Sequence, residues 1–134
     1  MPRKLERKER RAGYMYFKSS EVRSNMRLED ILNIVFTRAE KYKHAALIIL
    51  EGIKEIAKSR NRKPLWISDS EMSLLIHERL GEKKKSLAYR VISEFLVPMG
   101  FVSYRPDEGR YFISKSFQLA LIRLGNAYAR WIKS

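Results

Sequence analysis

The chain contains no cysteine, which excludes disulfide frameworks, thiolate metal sites and thiol catalysis. Its only histidines, His44 and His77, sit on different predicted helices without ligand-like spacing, so no metal centre is expected. The longest wholly apolar run, Ala45 to Leu50, is far short of the roughly 20 residues that cross a bilayer. The basic N-terminus leads into no signal-peptide core, and neither secretion nor a membrane partner is expected. Also missing are a phosphate-binding Gly-Lys loop, a Gly-x-Gly-x-x-Gly turn and a serine in a nucleophile elbow. Glu71 and Glu78 read as a helix cap and a solvated helix residue rather than a carboxylate pair. These gaps argue against an enzyme, a cofactor and a small-molecule ligand.

Negative charge is scarce as well. Fifteen Asp and Glu face 28 Lys and Arg, giving a net charge of +13 and a pI near 10.2. An imbalance of that size in 134 residues points to a polyanionic partner, whether nucleic acid, an anionic membrane surface or an acidic protein. With 45% hydrophobic and 32% charged residues, the chain has enough apolar material for one core and too much for disorder.

Hydrophobic spacing organises the rest. Residues 1–13 carry Arg3, Lys4, Arg7, Lys8, Arg10 and Arg11 against Glu6 and Glu9 and read as a flexible basic arm. Tyr14, Tyr16 and Phe17 are candidates to pin it to a single domain spanning 14–134. Leu28, Ile31, Leu32, Val35 and Ala39 recur at helical spacing, as do Ala46, Ile49, Leu50, Ile53, Ile56 and Ala57. The polar stretch Glu40 to His44 between these sets favours two helices over one. Pro64 should stop the second, because the residue before proline disfavours helical geometry.

Leu65-Trp66-Ile67 reads as a short strand. Ser68 and Glu71 then have capping-box spacing, so a helix should begin there, bury Met72, Leu75, Ile76 and Leu80, and end at Gly81 in a left-handed conformation. A second short helix follows at once, with Leu87, Ala88, Val91, Ile92, Phe95 and Leu96 inward, closed by Pro98 and Gly100. Phe101 to Tyr104 and Arg110 to Ile113, separated by Arg105-Pro106-Asp107-Glu108-Gly109, make a β-hairpin. Phe117, Ala120, Leu121, Leu124, Tyr128 and Trp131 form a final helical stripe with Ser116 as N-cap. The fold class expected is mainly α with a small β-hairpin (α+β).

This order, with the run Ser86 to Val102, resembles a winged helix-turn-helix DNA-binding domain of the small prokaryotic or archaeal regulator type. The resemblance covers a core of about 42–114, with flanking helices at about 27–40 and 116–132. It implies a recognition helix starting near Ser86, which would lie in the major groove with its N-terminal turn toward phosphate. Lys84, Lys85, Ser86, Tyr89, Arg90 and Ser93 are then its outward residues, and Arg90 is the candidate base reader. Lys83, Lys84 and Lys85 would neutralise phosphate, unless they form only a solvated turn and Arg90 only pairs with Glu94.

Arg105 and Arg110 are the wing's cations, opposed by Asp107 and Glu108, so minor-groove insertion is doubtful. Arg60, Arg62 and Lys63 form a further basic cluster. The partner implied is double-stranded DNA, with a homodimer through the flanking helices and a cytoplasmic, nucleoid-associated location. The competing readings are an adaptor that binds protein in a transcription or replication complex, and an RNA binder using Tyr14, Tyr16 and Tyr89.

Overall fold

The computed structural model describes residues 15–134; the basic arm and Tyr14 lie outside that range. The fold is α+β and mainly helical. In chain order it consists of α1 (Leu28–Val35), α2 (Glu40–Ser59), β1 (Trp66–Ser68), α3 (Asp69–Arg79), α4 (Lys85–Val91), β2 (Val102–Arg105), β3 (Arg110–Ile113) and α5 (Ser116–Lys133). Short 3₁₀ turns precede α1 and α4 at Ser19–Glu21 and Glu82–Lys84.

Helix α2 runs through the centre because its apolar positions span more than one face. Ala45, Ala46, Ile49, Leu50, Ile53 and Ala57 are all buried, against α1 on one side and α3, α4 and the sheet on the other. Leu32 and Val35 of α1, Met72, Leu75 and Ile76 of α3, and Ala88, Val91, Ile92 and Leu96 complete the core. Its alternating small and branched side chains let the helices approach closely. At Gly52 an added Cβ would lie 2.5 Å from Leu75 Cδ1.

The two-helix reading of 28–59 holds, but the break falls earlier than the polar stretch. Phe36 is buried and stands edge-on to Phe95 at 5.5 Å, so core packing draws the chain out of helix at Phe36–Ala39. Glu40 to His44 instead form the first turns of α2. The stop of α2 also precedes proline. Asn61 takes φ 53°, while the Arg62 N–H donates to the Ala57 carbonyl at 3.0 Å and the Asn61 N–H to that of Lys58 at 3.1 Å. This is a Schellman closure with asparagine at the left-handed position.

The capping box at Ser68 is present: Ser68 Oγ accepts from the Glu71 N–H at 3.2 Å, and Glu71 Oε1 accepts from the Ser68 N–H at 2.8 Å. Gly81 ends the following helix at φ 90°, though its ψ of 156° places it in an extended glycine conformation rather than the left-handed helical one. After α4 the helix widens into a π turn over Ile92–Leu96, closed by the Val97 N–H on the Ile92 carbonyl at 2.9 Å.

The hairpin strands β2 and β3 pair with Val102 opposite Ile113 and Arg105 opposite Arg110. Strand β1 adds to the other edge of β3, giving the antiparallel order β1-β3-β2 with Trp66 opposite Phe112. Tyr16 joins no strand; its N–H donates to the Ile34 carbonyl at 3.1 Å. Helix α5 is introduced not by a Ser116 cap but by Ser114, whose Oγ accepts from the Ser116 N–H at 3.1 Å. No helix among the described residues is long and apolar enough to cross a membrane.

Candidate nucleic-acid interface

The inward stripe on 87–96 decides what the α4 segment exposes. With Ala88, Val91, Ile92 and Leu96 buried, Lys83, Lys84, Lys85, Ser86, Arg90 and Ser93 are all exposed to solvent. None of the three lysines forms an ion pair with a carboxylate among the described residues. Ser93 turns its hydroxyl to the Arg90 carbonyl at 3.4 Å.

Arg90 forms no ion pair with Glu94, the alternative to an outward, contacting role. The Tyr42 hydroxyl beside it is the main influence that holds the guanidinium above its ordinary pKa, with Glu94 a weaker, longer-range contributor. Tyr42 is placed there by packing, since its ring lies 5.4 Å from Phe95 on the π turn. The start of α2 and the exposed face of α4 thereby line one groove of about 720 Å³, which Arg38, Lys41, Lys83, Lys84 and Arg90 border with Glu40 as its single acid. Arg38, Lys41 and Tyr42 were not among the residues singled out from sequence. The available signal was their position beside the helix break, but that break was itself misplaced.

Tyr89 departs from its expected outward position. It is half-buried, burial raises its pKa, and Ser73 of α3 lies beside its hydroxyl. It faces Tyr104 and Tyr111 of the hairpin, whose rings are 4.5 Å apart. Burial pushes the Tyr111 hydroxyl up to about 12. Tyr104 donates to Asp69 Oδ2 at 3.1 Å, and the Asp69 N–H donates to the Gly109 carbonyl at 2.9 Å. These contacts fix the hairpin tip against the start of α3, so the hairpin is a braced element.

The remaining cations are engaged within the fold to different degrees. Arg62 is directed inward: it makes a two-pronged bond to Glu71, at 2.6 Å and 3.1 Å, donates to the Trp66 carbonyl at 3.1 Å, and lies 3.8 Å from the Trp66 ring centroid. It is therefore withdrawn from the contact surface, because its donors are already committed. The same guanidinium holds the Glu71 carboxyl well below its usual range, at about 2. Arg60 flanks this pair at 3.4 Å from Glu71, and Lys63 stays exposed.

On the hairpin, Glu108 contacts both Arg105 at 3.2 Å and Arg110 at 3.6 Å. Arg110 also stacks on the other side of Trp66, at 3.8 Å from the ring centroid. The hairpin's two cations are thus partly neutralised by its own tip, which also carries Asp107. Among the described residues no group of three His, Asp or Glu is close enough to hold a metal.

Comparison with protein-family models found no match, and comparisons with curated proteins and with solved structures found none either.

Proposed function

We propose that the protein is a winged helix-turn-helix DNA binder that presents α4 to the major groove and acts by occupying duplex DNA, as a transcriptional regulator or chromatin-associated factor. One observation carries the reading. Lys83 and Lys84 of the 3₁₀ turn and Lys85, Ser86 and Arg90 of α4 are all exposed, a buried apolar stripe holds this segment to the body, and Lys83, Lys84 and Arg90 continue into a basic groove. A helix with exposed, unpaired cations at its start suits the charge of a duplex groove. In this reading Arg90 contacts a base edge or its adjoining phosphate, the three lysines contact backbone, and Tyr89 supports the helix against the wing.

Titration of a labelled random DNA duplex, beside an RNA duplex of equal length and across a salt series, tests it. The expected result is tighter binding to DNA with a steep loss of affinity as salt rises, and enrichment of a preferred sequence from a random pool. Absence of DNA binding at moderate salt would overturn the proposal.

A second reading has an observation of its own in its favour. The hairpin tip neutralises its arginines through Glu108, which suits a surface that packs on protein better than one that follows phosphate. In that reading the chain is an adaptor, and DNA affinity is weak and indifferent to Arg90→Ala.

A further inference from the structure

Helix α5 is the part of the molecule that the DNA reading leaves unexplained. It has 18 residues and none of them is buried. Phe117 stacks on Phe101 at 4.1 Å and holds the first turn to the body, but from Gln118 onward every residue is exposed. Of 13 large apolar side chains left exposed among the described residues, seven lie on this helix. Three more, Met15, Phe17 and Val22, line the facing wall of an apolar groove of about 830 Å³ between α5 and the segment leading into α1.

Leu119, Ile122 and Ile132 are scattered around α5, but the other large apolar residues follow one repeat. Phe117, Leu121, Leu124, Tyr128 and Trp131 recur at intervals of four and three, the 3.5-residue repeat of a helix seamed to another helix. Gly125 lies mid-helix next to that seam, and a Cβ there would meet nothing within 4 Å among the described residues. A mid-helix glycine costs about 1 kcal/mol relative to alanine, and no neighbour among the described residues requires it. The helix contains no acidic residue, and Arg123, Arg130 and Lys133 all fall outside the seam.

We infer that this surface is the interface of an antiparallel homodimer, in which α5 of a second copy lies along the first and enters its groove. The scale fits. At 38% exposure for Leu121, 65% for Leu124, 63% for Tyr128 and 69% for Trp131, the four exposed seam side chains, with Met15, Phe17 and Val22 across the groove, leave on the order of 700 Å² of surface open, close to what one partner buries in a standard interface. The groove has room for roughly two helical turns. Antiparallel pairing sets Leu121 of one chain against the partner's Leu124 and sends the basic ends at Arg130 and Lys133 in opposite directions, whereas parallel pairing would bring four cations together. Residues 1–14 of the same chain are a poor occupant, since eight of those 14 are charged. A lipid surface would require only a broad apolar face, with neither a seam nor the glycine.

Because the state is measured without DNA, the test is independent of the proposed function. Sedimentation equilibrium of the full chain at micromolar concentration should give twice the 15.9 kDa chain mass. Leu124→Arg, at an exposed position, should give the single mass with an unchanged circular dichroism spectrum. Since the chain has no cysteine, introduced thiols report geometry cleanly. Oxidised Leu124→Cys should form a covalent dimer. Tyr128→Cys should not, because antiparallel pairing separates its two copies by roughly 16 Å along the axis, beyond the ~7 Å reach of a disulfide. A monomeric wild-type mass, a dimer indifferent to Leu124→Arg, self-linking of Tyr128→Cys, or a monomer that instead co-sediments with anionic phosphatidylglycerol vesicles would each overturn the inference.

Discussion

Two basic clusters of similar composition have opposite roles in this molecule. Of Arg60, Arg62 and Lys63, the two arginines reach the Glu71 carboxylate, and Arg62 turns inward to hold it together with the Trp66 carbonyl and the Trp66 ring. Lys83, Lys84, Lys85 and Arg90 stand over buried alanine and branched residues, with no ion-paired carboxylate at the lysines, and point outward. A positive residue becomes scaffold where the fold brings an acid within reach and remains available to a partner where it does not. Net charge predicts the existence of a partner surface, but only the position of the few acids locates it.

Exchanging the roles of the clusters is the way to break this contrast. Arg62→Ala has the largest expected effect, a loss of about 2–4 kcal/mol of stability in urea unfolding, because it leaves Glu71 with half its partners. DNA affinity of the folded variant should stay near that of the wild type. The same pair predicts an acid response. The Glu71 carboxyl is lowered in the fold from about 4.5 to about 2, so its contribution is complete above 4.5 and fades as pH falls through that window. Glu71→Gln should flatten this part of the stability profile.

Arg90→Ala is the counterpart at the open cluster. It should weaken DNA binding by about 5- to 100-fold and relax preference at one base position, while the unfolding midpoint stays unchanged. Smaller still is Lys84→Ala, expected to weaken binding evenly across sequences and lower the salt slope by about 1. The smallest effect belongs to Glu108→Gln, which frees Arg105 and Arg110 from the tip; a two- to threefold gain in DNA affinity, equivalent to about 0.5 kcal/mol, would indicate that the wing lies along the backbone.

How far the sequence alone located these features follows from what each depends on. The capping box, the two short helices and the hairpin are set by residues within a few positions of one another, and they form where Ser68, Glu71, Gly81 and Gly109 indicate. The break at Phe36–Ala39 carries neither glycine nor proline. It exists because Phe36 finds Phe95 and the core, contacts that join residues nearly 60 positions apart in the chain. Arg62 and Tyr89 turn inward for the same reason: their partners, Glu71 and Ser73, belong to α3, which packs against them, rather than to their own segments of chain. The stripe on α5 was readable in sequence, but an apolar stripe has one appearance in a core and at an interface, and only its exposure in the fold separates the two.

The salt dependence of DNA binding, compared between the wild type and a variant with Lys83, Lys84 and Lys85 all replaced by alanine, tests the central claim most directly. If these lysines contact phosphate, the slope of log affinity against log salt falls by about 2–3 with no change in the unfolding midpoint. An unchanged slope in a folded variant would contradict the account and move the interface away from α4.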